Sequence, residues 1–201
     1  MTSSLLRNLR NLRIMVFHPR DSDGELLTQQ LQRIGCQTVT MWPPIDELPE
    51  TVDVAFCAVR PDQMADALAW MGPEPPIPIV ALINYENPTV IEAALSMGAM
   101  SVMMTPVRSS DILSSLVTAK YQYKERRELR RQVGRLERKL LGVNQISQAK
   151  AILARTHNVS DEHAYRIMRE QAMKKRVATE EIARAIINAN DVLSYTPTSE
   201  N

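Results

Sequence analysis

Between Ala119 and Leu153 the chain reads AKYQYKERRELRRQVGRLERKLLGVNQISQAKAIL, with no proline and only two glycines, Gly134 and Gly142. Leu129, Val133, Leu136, Leu140 and Val143 recur at steps of 4, 3, 4 and 3, and the residues between them are mostly Arg, Lys, Glu and Gln. That spacing is the a/d seam of a coiled coil, here over roughly two heptads. A long helix with one narrow apolar stripe cannot bury the stripe by itself. It needs a partner helix, most simply its own copy in a homodimer. The alternative is a solvated charged helix lying on its own domain.

The seam also divides the charge. Residues 1–118 hold 7 Lys/Arg against 13 Asp/Glu, a net of −6, whereas residues 119–201 hold 17 against 10, a net of +7. Any polyanionic partner therefore meets the second half. Cys36 and Cys57 sit in apolar stretches without CxxC spacing and read as buried thiols in a reducing compartment. The opening MTSSLLRNLRNLR lacks the apolar run of a signal peptide, and no stretch approaches 18 apolar residues. The expectation is a cytoplasmic protein with no membrane contact.

The first half alternates short apolar runs with helical patterns. Strands are expected at 13–17, 37–41, 52–59, 77–83 and 100–104. Helices are expected at 25–34, with Leu27, Leu31 and Ile34 on one face and Gly35 as the C-cap, then at 63–71, at 88–97, and from about Ser110 into the long helix. Runs that are apolar throughout belong to a parallel sheet covered on both faces, an α/β arrangement whose ligands bind at the carboxyl ends of the strands.

This order, with GAMSVMMTPVRSSDIL near its end, resembles a response-regulator receiver domain. The resemblance assigns the phosphoacceptor to the end of the third strand, which holds Ala58, and the switch positions to Ile83 and Thr105, the latter preceding Pro106 where the family has Lys-Pro. The first acid after strand one is Asp21, and Asp62 lies too far past the third strand to serve as acceptor. Phosphoryl transfer from an acyl phosphate needs a carboxylate nucleophile, a divalent cation and a cation on the phosphoryl oxygens. Ala58 offers no nucleophile and Thr105 no charge, so the domain reads as a pseudo-receiver kept for interaction. His18, His157 and His163 have no ligand spacing with an acid or cysteine, and no phosphate-loop, nucleophile-elbow or zinc-helix motif occurs. No metal, cofactor or enzymatic activity is expected.

In the second half the long helix widens its apolar face through Ile146, Ala149, Ile152 and Leu153 and stops near Thr156-His157-Asn158. Ser160 caps a helix from Asp161 to about Lys174, and Thr179 caps another that ends near 188–190, before a loose tail. QAKAILARTHNVSDEHAYRIMREQAMKKRVATEEIARAII resembles the ANTAR domain, the RNA-binding output module of bacterial antitermination regulators. The match rests on Ala149-Lys150 with Leu153, then Ala164, Ala172-Met173 and Ile182-Ala183. The order of parts, with LQRIGCQTVTMWPP in the first half, is similar to AmiR-like antitermination regulators. That resemblance implies dimers binding stem-loops in a nascent leader mRNA. It also implies a cytoplasmic ligand-sensing negative regulator, related to periplasmic binding proteins, that sequesters the chain.

RNA binding needs cations for phosphates and flat side chains for bases. Lys150, Arg155, Arg166, Arg169, Lys174, Lys175 and Arg176 are close in sequence on three short elements, and Tyr165 is placed to stack. Each cation taken singly is equally a solvated surface charge, and Arg126, Arg127, Arg130 and Arg131 equally edge the coiled coil. The expected organisation is a five-stranded parallel-sheet pseudo-receiver over 1–118, a coiled-coil dimerisation helix over 119–145 and a small three-helix RNA-binding domain over 146–201. A DNA-binding regulator, suggested by VATEEIARAI, has only 10 residues after Asp191 and no room for a recognition helix. A coiled-coil scaffold is the third alternative.

Overall fold

The computed structural model describes residues 9–60 and 68–193. The strands are β1 (Arg13–Phe17), β2 (Gln37–Met41), β3 (Val54–Ala58), β4 (Ile79–Ile83) and β5 (Ser101–Met104). The helices are α1 (Ser22–Ile34), α2 (Pro88–Ser96), α3 (Ser109–His157), α4 (Asp161–Lys175) and α5 (Thr179–Leu193). The described residues fall into two compact units, 1–128 and 129–201.

In the first unit the strands form one parallel sheet in the order β2-β1-β3-β4-β5. β3 and β4 are buried at every position, as their unbroken apolar runs require. Alternate side chains feed two cores. Ile14, Val16, Val54, Phe56, Val80 and Leu82 meet Leu27 and Leu31 of α1 and Ile112, Leu116 and Ala119 of α3. On the other face Phe17, Cys57, Ala81 and Ile83 meet Trp70 and the α2 residues Val90 and Ala94. Local chemistry sets the helix ends. The Asp21 carboxylate accepts from Gly24 N–H at the start of α1, and Gly35 closes it at φ 101°, a conformation that glycine takes without Cβ strain. Asn87 caps α2 by accepting from Val90 N–H, with Pro88 in its first turn.

The connection from β2 to β3, residues 42–53, holds no helix. Pro43, Pro44 and Pro49 remove the N–H donors a helix interior needs. The expected helix over 63–71 lies largely on residues 61–67, outside the described ones, and 69–70 form a turn. The last helix runs beyond 188–190 to Leu193, since Asn188 and Asn190 only weaken a helix and no glycine or proline stops it.

In the second unit Ala149, Met168, Ala172, Ile182 and Ala183 form the core, with Ile146, Leu153, Ile186 and Ile187 packed against it. Small residues dominate because the helices cross closely. Gly142 belongs to the same crossing: a Cβ there would stand 3.1 Å from Glu180 Cγ of α5. Cys36 and Cys57 are free and buried, as expected.

Candidate functional site

The carboxyl ends of the strands form a cleft of about 60 Å³ lined by His18, Asp21, Asp23, Ala58, Arg60, Asn84 and Thr105, among others. Ala58 and Thr105 therefore lie where the receiver resemblance assigns them. Ile83 does not line the cleft; it is buried in the core on the α2 face, and Asn84 takes the place beside Ala58. The acids of the cleft have structural duties. Asp21 caps α1, and its Oδ1 is 3.2 Å from Nδ1 of the buried His18. Asp23 Oδ1 accepts from Val107 N–H at 2.9 Å and ties the start of α1 to the segment after β5. Among the described residues no three His, Cys, Asp or Glu side chains gather to hold a metal ion. The position that the receiver resemblance assigns to the acceptor, Ala58, lines the cleft with a methyl group.

The basic unit has a different character. α4 starts at Ser160, whose side chain accepts from His163 N–H, and carries Asp161 and Glu162 in its first turn. Ala164, Met168 and Ala172 are its buried face. Tyr165, Arg169 and Met173 follow at steps of four on another face, with Arg166 beside them, and all four are exposed. Tyr165 is 41% and Met173 63% exposed, leaving a ring and a thioether bare on either side of Arg169 along this face. Met173 was used above only as part of the family pattern; its step of eight from Tyr165 is the signal that places it on this face.

The other cations do not join one cluster. Lys150 Nζ is held 3.2 Å from Asp161 Oδ2 at the start of α4, so it pins α3 to α4. Arg155 is exposed in the last turn of α3. Lys174, Lys175 and Arg176 stand exposed at the far end of α4, 15 residues or about 21 Å from its start. Arg176 adopts φ 55° and ψ 42°, the left-handed position that usually belongs to glycine, while its N–H bonds to Ala172 and Met173 carbonyls. A side chain there costs about 1 kcal/mol.

The seam residues Leu129, Val133, Leu136, Leu140 and Val143 are each between 52% and 64% exposed. At about 100° per residue the stripe runs to one side of the face of Ile146 and Ala149 that packs into the core, and its last residue, Val143, adjoins Ile146 one turn on. Leu141, off the stripe, is also exposed.

Residues 12–120 match the family described as AmiR, N-terminal, and residues 134–187 match the ANTAR domain. The chain belongs to the AmiR family of ANTAR regulators. Its curated relatives agree with that membership. The aliphatic amidase regulator of Pseudomonas aeruginosa is 30% identical over 187 residues, covering 92% of this chain and 95% of that one. The transcriptional regulatory protein PdtaR of Mycobacterium tuberculosis is 24% identical over 122 residues, covering 61% of this chain and 60% of that one. Among solved structures, the response regulator StyR aligns over 89% of this chain and 99% of its own with 14% identity and a TM-score of 0.48. AmiR-family membership thus joins the receiver-like sheet, the long helix and the ANTAR unit in one transcription regulator. Among the described residues no helix is long and apolar enough to cross a membrane.

Proposed function

We propose that this AmiR-family chain is a cytoplasmic transcription antitermination regulator that binds stem-loops in a nascent leader mRNA as a dimer. It is a regulator without catalytic activity. The observation that carries the reading is the outer face of α4, where Tyr165, Arg166, Arg169 and Met173 are exposed while the adjoining face closes the core. RNA loops are read by stacking splayed bases on rings and guanidinium planes, with cations on the phosphates. Arg176 supports the same reading, since a strained cap held by a cation in place of glycine points to use of that cation. Lys174, Lys175 and Arg155 supply further phosphate contacts, and Lys150 positions α4 through Asp161.

Dimerisation runs through the stripe from Leu129 to Val143. A second α3 would pack along the exposed stripe, which turns away from the three-helix core except where Val143 adjoins Ile146. With Ala58 in the acceptor position, control passes through a protein contact: a ligand-sensing negative regulator, similar to periplasmic binding proteins, sequesters the chain. The units proposed are the pseudo-receiver over 1–118, the dimerisation helix over 119–145 and the RNA-binding domain over 146–201.

The test is a gel-shift titration of purified protein with paired stem-loop RNA and with duplex DNA of similar length at two salt concentrations. RNA binding that persists at the higher salt, with DNA weak, is expected. Equal and steeply salt-dependent binding to both would reduce the second half to a basic dimerisation stalk.

A further inference from the structure

In the first unit the stretch without a helix leaves part of the sheet open. β2 is an edge strand whose two faces differ. Thr38 and Thr40 bond to Gln32 and Thr28 of α1, whereas Val39 and Met41 on the other face are 56% and 38% exposed. Beside them lies an apolar groove of about 280 Å³, lined by Met15, Val39, Met41, Ile45, Pro49 and Val52 among others. Its outer wall is fixed in place: Trp70 Nε1 donates to the Ile45 carbonyl at 2.8 Å, and Asp53 N–H donates to the Arg13 carbonyl at 2.8 Å.

The segment that supplies the wall, residues 45–53, carries only acidic charge: Asp46, Glu47, Glu50 and Asp53 are all exposed, and no Lys or Arg occurs between Arg33 and Arg60. Arg13, at the start of β1, is the one charged residue lining the groove itself, and its N–H donates to the Asp53 carboxylate. An apolar trough whose walling segment is acidic favours an apolar segment flanked by cations, because a segment flanked by acids would place like charges together. We propose that this groove docks a segment of a separate partner protein that presents one or two large apolar side chains flanked by Lys or Arg. The inference deepens the control by a protein partner and rests on that reading only for the partner's existence.

The experiment uses the full chain and two fluorescent probe peptides of equal length with the same Leu and Met stripe, one carrying Lys and the other Glu. The Lys peptide is expected to bind saturably, more weakly at higher salt. Glu47→Lys with Glu50→Lys is expected to lower that affinity at least tenfold and to favour the Glu peptide. Val39→Asp, an exposed position that leaves the fold intact, is expected to weaken both peptides at least tenfold. Stem-loop RNA affinity is expected unchanged in these variants. Absence of saturable binding by the Lys peptide, or binding indifferent to charge reversal and Val39→Asp, would overturn the groove. Self-association of the wild type that is lost in the charge-reversed variant would assign the groove to a second copy and overturn the separate partner. If control by a partner fails while the groove is real, the Lys peptide still binds.

Discussion

The first unit buries β3 and β4 at every position and stacks a full core on each face of its sheet. The second rests on five buried side chains, three of them alanines. Full burial of a large apolar side chain is worth about 1.5–3 kcal/mol, and an alanine much less. The sheet unit therefore has reserve, while the helical unit has little. The polar cleft of the first unit has acids that are engaged in capping α1 and bonding the segment after β5. The second keeps a thin core and a bare face of Tyr, Arg and Met.

The sharpest way to break this comparison is at the seam. Leu136→Lys with Leu140→Lys is expected to convert a dimer to a monomer in sedimentation. It is also expected to lower stem-loop RNA affinity at least a hundredfold while the sheet unit melts as before. A dimer that survives both substitutions would remove the stripe as the interface. Next, Met168→Ala should cost about 2–5 kcal/mol, the usual penalty for emptying a core site. Hydrogen exchange should then show the second unit open and the first protected. Leu31→Ala, with a similar penalty, should leave the first unit folded. Equal tolerance of the two would mean the units share their stability.

How much of this was legible in the sequence depends on the kind of residue. Runs such as VAFCA and IVALI announced buried strands because nothing polar interrupts them. The caps Ser160 and Gly35 were equally local, and local signals survive without the fold. Ala58 and Thr105 came from family register and do line the cleft; Ile83 missed it by one residue, because alternation along β4 turns Ile83 into the core and leaves Asn84 at the strand's end. Lys150 read as an RNA contact because its partner Asp161 is 11 residues away across a turn, a pairing that only folding creates.

Smaller effects sharpen the comparison. Arg176→Gly is expected to stabilise the second unit by about 1 kcal/mol and to weaken RNA binding several-fold, opposite signs that a purely structural cap would not give. Gly134→Ala, with nothing within 4 Å of the added Cβ, is expected to raise stability by up to about 1 kcal/mol. Gly142→Ala should gain less or lose, since its Cβ meets Glu180. Thermal melts of the three variants check both statements.

The smallest effect is alkaline. Burial pushes the Cys57 thiol well above its ordinary value of 9.0. Below pH 9 both folded and unfolded chains keep the proton; above it the unfolded chain loses its proton first, so stability falls as pH rises. Lys120 opposes this, because desolvation lowers its pKa, with Asp53 and Cys36 acting to raise it. Its ammonium is therefore released earlier in the folded chain, which adds stability on the way to pH 10.5. Denaturant melts between pH 8 and 10.5 should fall less steeply in Cys57→Ala than in the wild type.

Asp23 shows how far the acids of the cleft are already committed. Its carboxylate clasps Val107 N–H, and Asp21 caps α1 beside His18. An aspartate placed at position 58 would stand as a third carboxylate next to two that have other duties, with a neutral threonine at position 105. Building an acyl-phosphate site into this cleft would therefore need several coordinated changes, each unfavourable until the others are made.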